Sequence, residues 1–354
     1  MLAGDDDWTM PSTIGLDIGS SAVRAVQVSA GGRGPAALER IGQAPLPPGA
    51  VCDGEVVDGQ AVTDAVRSLW SAHGFKGRKV ALGLANQQVV VRQVDLPYLP
   101  EPELRSSLPF QAQEFIPIPV EQAILDFHVL DNYETEDGAR FSRILLVAAQ
   151  RTMVEAMTEC VRAANLTPVQ VDLDAFAMLR SLAPERLLGA GEGEMLLDVG
   201  SAVTNIVVHD NGIPKFVRIL LMGGNAITDA LTTALGISHE EAEATKAAAA
   251  GHDEAARLVA ERADRFVEEI RGSLDFYSAQ PEAIPVHRVV LSGGGAQLPN
   301  LQERLSFALG LPVDRGHPMQ ELKIGKVDLD PAQLVEAEPY LAVAIGLAVG
   351  AAEV

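Results

Sequence analysis

Leu16-Asp17-Ile18-Gly19-Ser20-Ser21-Ala22-Val23-Arg24-Ala25-Val26-Gln27-Val28 reads as a strand, a tight turn and a second strand. Thr13 to Leu16 enters the turn on apolar and β-branched residues. Ala22 to Val28 leaves it on small, branched and polar residues in alternation. Gly19 has no Cβ to hold a ligand away from the backbone. The amides and hydroxyls of Ser20 and Ser21 offer donors to an anion. Asp17, at the strand end, can hold Mg²⁺ through water, which is how phosphate-bound Mg²⁺ is usually held. On its own, Asp-x-Gly-Ser also describes an ordinary hairpin.

The pattern recurs. Leu197-Asp198-Val199-Gly200-Ser201-Ala202-Val203-Thr204-Asn205-Ile206-Val207-Val208-His209 again runs Leu-Asp-apolar-Gly-Ser into an apolar strand, 181 residues further on. A repeat at that distance is too long for a solenoid. It suits two similar domains facing each other across a cleft, with an Asp on either side of a shared metal. A third element fits the same cleft. The short strand Arg288-Val289-Val290-Leu291 runs into Ser292-Gly293-Gly294-Gly295-Ala296 and then a helix from about Pro299. A glycine run between strand and helix can wrap a nucleoside or a phosphate.

In this order the three elements resemble the actin, Hsp70 and sugar-kinase superfamily, over about Thr13 to Gly350. The resemblance implies an α/β fold of two actin/Hsp70-like domains, a ribonuclease H-like duplication. It also implies ATP with Mg²⁺ in the cleft. The phosphates would lie against Gly19, Ser20, Ser21, Gly200 and Ser201, the metal between Asp17 and Asp198, and the adenosine on Gly293, Gly294 and Gly295.

Totals narrow the function classes. A chain of 354 residues is long enough for two core-bearing domains. Its formal net charge of −21 argues against a nucleic-acid partner and against direct binding to an acidic lipid surface. Cys52 and Cys160 form no metal-site or disulfide pattern and read as reduced cytoplasmic thiols. The seven histidines form no cluster, so no histidine metal site is expected. Met1 to Trp8 is acidic and unlike a signal peptide. The longest near-apolar run, Tyr340 to Ala352, is shorter than the ~20 residues of a spanning helix and reads as a packed helix.

Along the chain, residues 1–12 read as a disordered acidic tail and 13–193 as the first domain. Gly31 to Pro35 is a turn and Ala36 to Ala44 a third strand. Asp58 to His73 is a helix with Val62, Val66, Leu69 and Trp70 on one face. A compact β-rich segment, 77–150, reads as an inserted subdomain. Within it lie strands at Lys79–Leu84, Val89–Val94, Ile124–Leu130 and Phe141–Ala149, a helix over Pro102–Phe115, and an acidic loop over Asp131–Asp137. Thr152–Asn165 is a helix, Pro168–Asp172 a strand and Phe176–Leu182 a helix. Residues 194–335 form the second domain, with Asn225–Leu235 helical and a charged helical subdomain at about 237–283, interrupted at Gly251. Ser238 and Glu241 there form a capping box. The last helix, from about Leu334 to Gly350, returns to the first domain within residues 336–354.

The inserted segment narrows the resemblance. Val94-Asp95-Leu96-Pro97, Glu114-Phe115-Ile116-Pro117-Ile118-Pro119-Val120-Glu121 and Leu125-Asp126-Phe127 look like the PilM family, the actin-like cytoplasmic proteins of type IV pilus assembly. These are similar to the cell-division protein FtsA, which carries the same type of insertion in its first domain. FtsA ends in a basic amphipathic membrane helix, whereas no basic residue follows Lys326 here, which disfavours FtsA. The PilM resemblance implies an ATP-binding scaffold and at most a slow ATPase. It implies a groove of the first domain and its insertion for the cytoplasmic N-terminal peptide of PilN, with other platform and motor proteins as further candidate partners. The protein would then sit at the inner membrane only through its partner.

The resemblance extends to five more residues. Glu243 and Lys246 match a Glu-x-x-Lys pair that reaches the sugar and base; the plainer alternative is a solvated salt bridge. Asp174 matches an acidic position that places Mg²⁺ or water, the catalytic candidate; the alternative is a helix N-cap. Gly223 and Gly224 approach the phosphates or cap the next helix. Arg24 reads as a surface strand residue. Two other functions share the fold, an FtsA-like filament and an ATPase or small-molecule kinase. A kinase needs a positioned base for an acceptor hydroxyl, and no residue is identified for it.

Overall fold

The computed structural model describes residues 12–29, 35–183, 188–189, 191–248, 253–325 and 327–352. The tail up to residue 11, most of the Gly31–Pro35 turn and the break at Gly251 lie outside them. Ser12, expected in the tail, opens the first strand.

The first domain starts with β1 (Ser12–Ile18), β2 (Ala22–Ser29) and β3 (Ala37–Pro45), then the small hairpin β4 (Val51–Cys52) and β5 (Glu55–Val56), helix α1 (Gly59–His73) and β6 (Lys79–Leu84). The insertion holds β7 (Val90–Pro97), α2 (Glu101–Gln111), β8 (Ala123–Glu134) and β9 (Arg140–Gln150). The first domain resumes with α3 (Arg151–Ala163), β10 (Thr167–Leu173) and α4 (Asp174–Leu182). The second has β11 (Gly193–Val199), β12 (Thr204–Asp210), β13 (Ile213–Leu220), α5 (Asn225–Leu235), α6 (His239–Ala248), α7 (Glu254–Ser278), β14 (Val286–Ser292), α8 (Leu301–Leu309) and β15 (Val313–Arg315). The chain closes with β16 (Lys323–Ile324), α9 (Pro331–Ala337) and α10 (Ala342–Ala352).

The two larger sheets share one plan. One runs β10-β6-β1-β2-β3-β16 and the other β13-β12-β11-β14-β15. In each, the strand that carries the Asp pairs antiparallel with the next strand and parallel with one from far along the chain. These pairs are β1 with β2 and β6, and β11 with β12 and β14. The apolar, buried runs 80–84 and 289–291 are what strands covered on both faces look like. This is the duplicated actin-like fold.

Sheet membership corrects the inserted boundary. β6 lies inside the first large sheet, between β1 and β10, so the small sheet β7-β9-β8 begins at Val90 and not at Gly77. It has its own core of Val94, Leu96, Leu104, Leu108, Phe127, Ile144 and Leu146. β8 runs on to Glu134, so much of the expected acidic loop is strand, because Tyr133 pairs with Phe141 across the ladder. The expected helix over 102–115 stops at Gln111 and tightens to a 3₁₀ turn at Ala112–Glu114, two residues after the helix-weakening Pro109.

The last helix is two helices. Glu338–Tyr340 forms a 3₁₀ turn at Pro339, and α9 and α10 meet there at 85°. α10 is buried almost all round and lies on bare backbone. A Cβ on Gly15 would meet the Ala344 carbonyl at 2.1 Å, and one on Gly346 the Ala177 carbonyl at 1.7 Å. Thr13 Oγ1 donates to the Ala348 carbonyl (2.6 Å) and Ser181 Oγ to that of Ala342 (2.7 Å). No single helix among the described residues is long and apolar enough to cross a membrane.

Candidate functional site

A cleft of about 450 Å³ opens between the two large sheets. Both Asp-bearing hairpins turn into it by the same device. The Gly19 amide donates to the Ala22 carbonyl (3.1 Å) and the Gly200 amide to that of Val203 (2.9 Å). Each glycine amide closes its own turn. Asp17, Gly19, Ser20 and Ser21 line one wall, and Asp198, Gly200, Ser201, Gly223 and Gly224 the other. Asp174, Glu243, Lys246, Gly293, Gly294 and Gly295 complete it. The structure thus brings every residue selected from the sequence into one cavity.

The glycines do different work. A Cβ on Gly19 would find its nearest protein atoms at 3.4 and 3.5 Å, ordinary contact, so the protein itself leaves that position free. A Cβ on Gly200 would meet the Val203 carbonyl at 2.7 Å, and one on Gly223 the Gly200 carbonyl at 2.4 Å. Gly293 has φ +84°, and its Cβ would lie 2.4 Å from the Val199 carbonyl. The glycine loop is therefore pressed onto β11, with the Tyr340 ring 2.6 Å from where a Cβ of Gly294 would stand.

Three carboxylates meet at the centre. Burial pushes Asp17 up, and the facing Arg24 guanidinium, 3.7 Å away, partly offsets it. Burial and then the charge of Asp17 push Asp198 up to about 7, against Arg24 and a Ser292 hydrogen bond. Asp174 is pushed well above the usual range by burial, then by Asp17, Asp198 and Asp172. Its Oδ1 is buried without a hydrogen-bond partner among the described residues, and a Cβ on Gly83 would sit 2.0 Å from that atom. Asp174 is the first helical residue of α4, behind Leu173, and caps nothing, so the N-cap alternative falls. Like charges held together out of water favour proton uptake or a cation. Among the described residues no three His, Cys, Asp or Glu stand close enough to clasp a bare ion. The donor set suits an ion that keeps its waters.

On the second domain's wall, Lys246 Nζ reaches Glu243 Oε1 (2.7 Å), Thr228 Oγ1 (2.9 Å) and the Gly224 carbonyl (3.3 Å). Thr228 donates in turn to Glu243. Burial works to raise the Glu243 carboxyl, and the hydrogen bonds of Lys246 and Thr228 outweigh it and leave it lowered. The pair is the i,i+3 salt bridge of the plainer alternative, but only its Glu243 end is well solvated (43% exposed), while Lys246 is 15% exposed and also bonded to Thr228 on α5. Arg24 is also corrected. It is not a surface residue: it faces Asp17 across the β1–β2 ladder, stands over the Tyr340 ring (5.3 Å to its centre) and lines the cleft. Sequence reasoning missed Gly83, Thr228 and Tyr340. Only Tyr340 left a signal, beside the helix-breaking Pro339.

Residues 15–351 match the family described as type IV pilus assembly protein PilM. The solved PilM-PilN type IV pilus biogenesis complex contains a chain 28% identical, with a TM-score of 0.83 over 97% of this chain and 99% of that one. The cell division protein FtsA of Bacillus subtilis is 24% identical over 257 residues, which are 66% of this chain. The match spans only 57% of FtsA's length. MreB 5 of Spiroplasma citri, solved bound to AMPPNP, is 13% identical with a TM-score of 0.52 over 95% of this chain and 94% of its own, a likeness of fold alone.

Proposed function

Because the chain belongs to the family of the type IV pilus assembly protein PilM, we propose that it is a nucleotide-binding scaffold of pilus assembly that docks PilN. One observation carries the nucleotide half of this reading: two like hairpins, a strand–glycine–helix loop and three buried carboxylates converge on one cleft. The amides and hydroxyls of Ser20, Ser21 and Ser201 serve the phosphates, Gly293 to Gly295 the adenosine, and Glu243 with Lys246 the sugar and base. Asp17, Asp198 and Asp174 suit a hydrated Mg²⁺. When bound, it supplies the positive charge that lets a polyphosphate lie beside carboxylates.

The PilN half follows from family membership and from the solved complex. The short cytoplasmic N-terminal segment of PilN is the natural partner segment, received by the first domain and its insertion. That contact would hold the protein at the inner membrane without a spanning helix of its own. Hydrolysis is not required for such a role.

The test is calorimetry of Mg²⁺-ATP and of a synthetic PilN N-terminal peptide on the wild type and Asp17→Ala, with chromatography of the nucleotide after an hour. Tight ATP binding, lost in Asp17→Ala, with intact ATP recovered and the peptide bound, is the expected result. No binding of any adenine nucleotide, or multiple turnovers with no peptide binding, would overturn it.

A further inference from the structure

The two hairpins repeat in backbone but not in charge. On β2 the residue facing Asp17 across the ladder is Arg24, a cation. On β12 the residue facing Asp198 is Asn205, a neutral amide. Asn205 is 4% exposed and lines the cleft, and its Oδ1 is buried with no hydrogen-bond partner among the described residues. The strand that carries it is held in place. β12 is paired on both sides, with Asp198 opposite Asn205 on β11 and Ile219 opposite it on β13. Its strand neighbours Thr204, Ile206, Val207 and Val208 are all fully buried.

Local chemistry argues against asparagine there. It is a poor strand former, and a buried amide oxygen without a donor costs more than the apolar side chains beside it. A residue that breaks local rules at the wall of a ligand cleft is expected to be repaid by the ligand. We propose that Asn205 is a positioning residue for the cation-bearing end of the nucleotide, its Oδ1 accepting a hydrogen bond from a water that a divalent ion holds on the Asp198 side. This rests on the nucleotide reading above and places the ion off-centre, towards the second hairpin. Arg24 pairs with Asp17 at 3.7 Å and offsets the burial of Asp198 only without an ion pair, and the second hairpin carries no Lys or Arg of its own. An amide serves better than a fourth acid. It accepts from a metal-bound water without adding negative charge to three crowded carboxylates.

The experiment measures ATP affinity by calorimetry over a Mg²⁺ titration and in EDTA, with Mn²⁺ magnetic resonance of the bound ion. The proteins are the wild type, Asn205→Leu, which keeps the shape without the acceptor, and Asn205→Asp. Asn205→Leu is expected to raise the Mg²⁺ concentration for half-maximal effect about tenfold and to alter the Mn²⁺ signal, with affinity in EDTA within about twofold of wild type. Asn205→Asp is expected to shift the same midpoint and make it pH-dependent. An unshifted midpoint in both variants, or an equal loss with and without metal, would overturn the assignment while leaving the nucleotide reading intact. A wild type that binds no adenine nucleotide overturns both. If Asn205→Leu does not fold, the Asn205→Asp midpoint decides alone.

Discussion

Asp198→Asn tests the electrostatics of the cleft directly. In the folded protein burial and the charge of Asp17 push the Asp198 carboxyl up to about 7, and in an unfolded chain it sits near 3.8. Between those values the native state holds a proton that the unfolded state has lost, so stability falls as pH rises through the window and levels off above it. At about 1.36 kcal/mol per unit, integration from pH 5 to pH 8 gives a loss of roughly 2.5 kcal/mol from this one group. Asparagine has no proton to lose, and the Ser292 hydroxyl keeps an oxygen to bond. Urea unfolding of nucleotide-free protein at pH 5 and pH 8 should show the variant gaining on the wild type by about that amount over the interval. Saturating Mg²⁺-ATP at pH 8 should then reverse the ranking, because the ionised carboxylate is the form that recruits the cation. Parallel stability curves for the two proteins from pH 5 to pH 8 would refute the argument, since they would mean that the Asp198 site is wet enough to stay ionised throughout.

Three further outcomes follow from distances in the cleft. Gly19→Ala should leave the melting temperature within about 2 °C of wild type, since its Cβ finds protein no nearer than 3.4 Å, yet weaken Mg²⁺-ATP binding by about tenfold or more. Gly200→Ala, with a Cβ 2.7 Å from the Val203 carbonyl, should cost about 1–3 kcal/mol of stability first, so calorimetry and thermal melts should rank the two variants in opposite orders. Lys246→Met should loosen adenosine and ATP by similar factors, roughly tenfold, because Lys246 is engaged by Glu243 and Thr228 and not by the three buried aspartates; a loss confined to ATP would place it at the phosphates instead.

The fold was legible because the decisive signals were local. Two Asp-x-Gly-Ser hairpins and a strand–glycine–helix loop each announce themselves within a dozen residues, and their order names the architecture. Non-local pairing was not legible. Lys79–Leu84 has the same apolar texture whether it joins the insertion or the first sheet, and only its parallel register with Leu16 and Val171 decides. Environment was not legible either. The sequence shows Arg24 and Asn205 as polar residues on alternating strands, which usually face water; the second domain packing over the first turns both inward. Asp174 looked like a cap because it precedes a helix, and the helix begins two residues earlier than its apolar pattern suggested.

The same packing bears on how the protein could respond to a ligand in the cleft. The insertion does not hang free of the second domain. Gln93 on β7 donates to the Pro214 carbonyl on β13 (2.8 Å), and Arg143 on β9, held by Asp95 at 2.8 Å, also faces Glu282 at 3.8 Å. These are exposed or half-exposed polar contacts, individually worth no more than about 1 kcal/mol each. A contact that weak cannot hold the cleft shut, but it can be made or broken by a small change in the angle between domains. Tyr340 works inside the cleft: its ring lies against the glycine loop of the second domain and the Arg24 guanidinium of the first. A ligand drawn between Arg24 and Gly294 therefore acts on both domains at once, and the insertion's weak contacts with Pro214 and Glu282 are the cheapest place for the resulting movement to be felt.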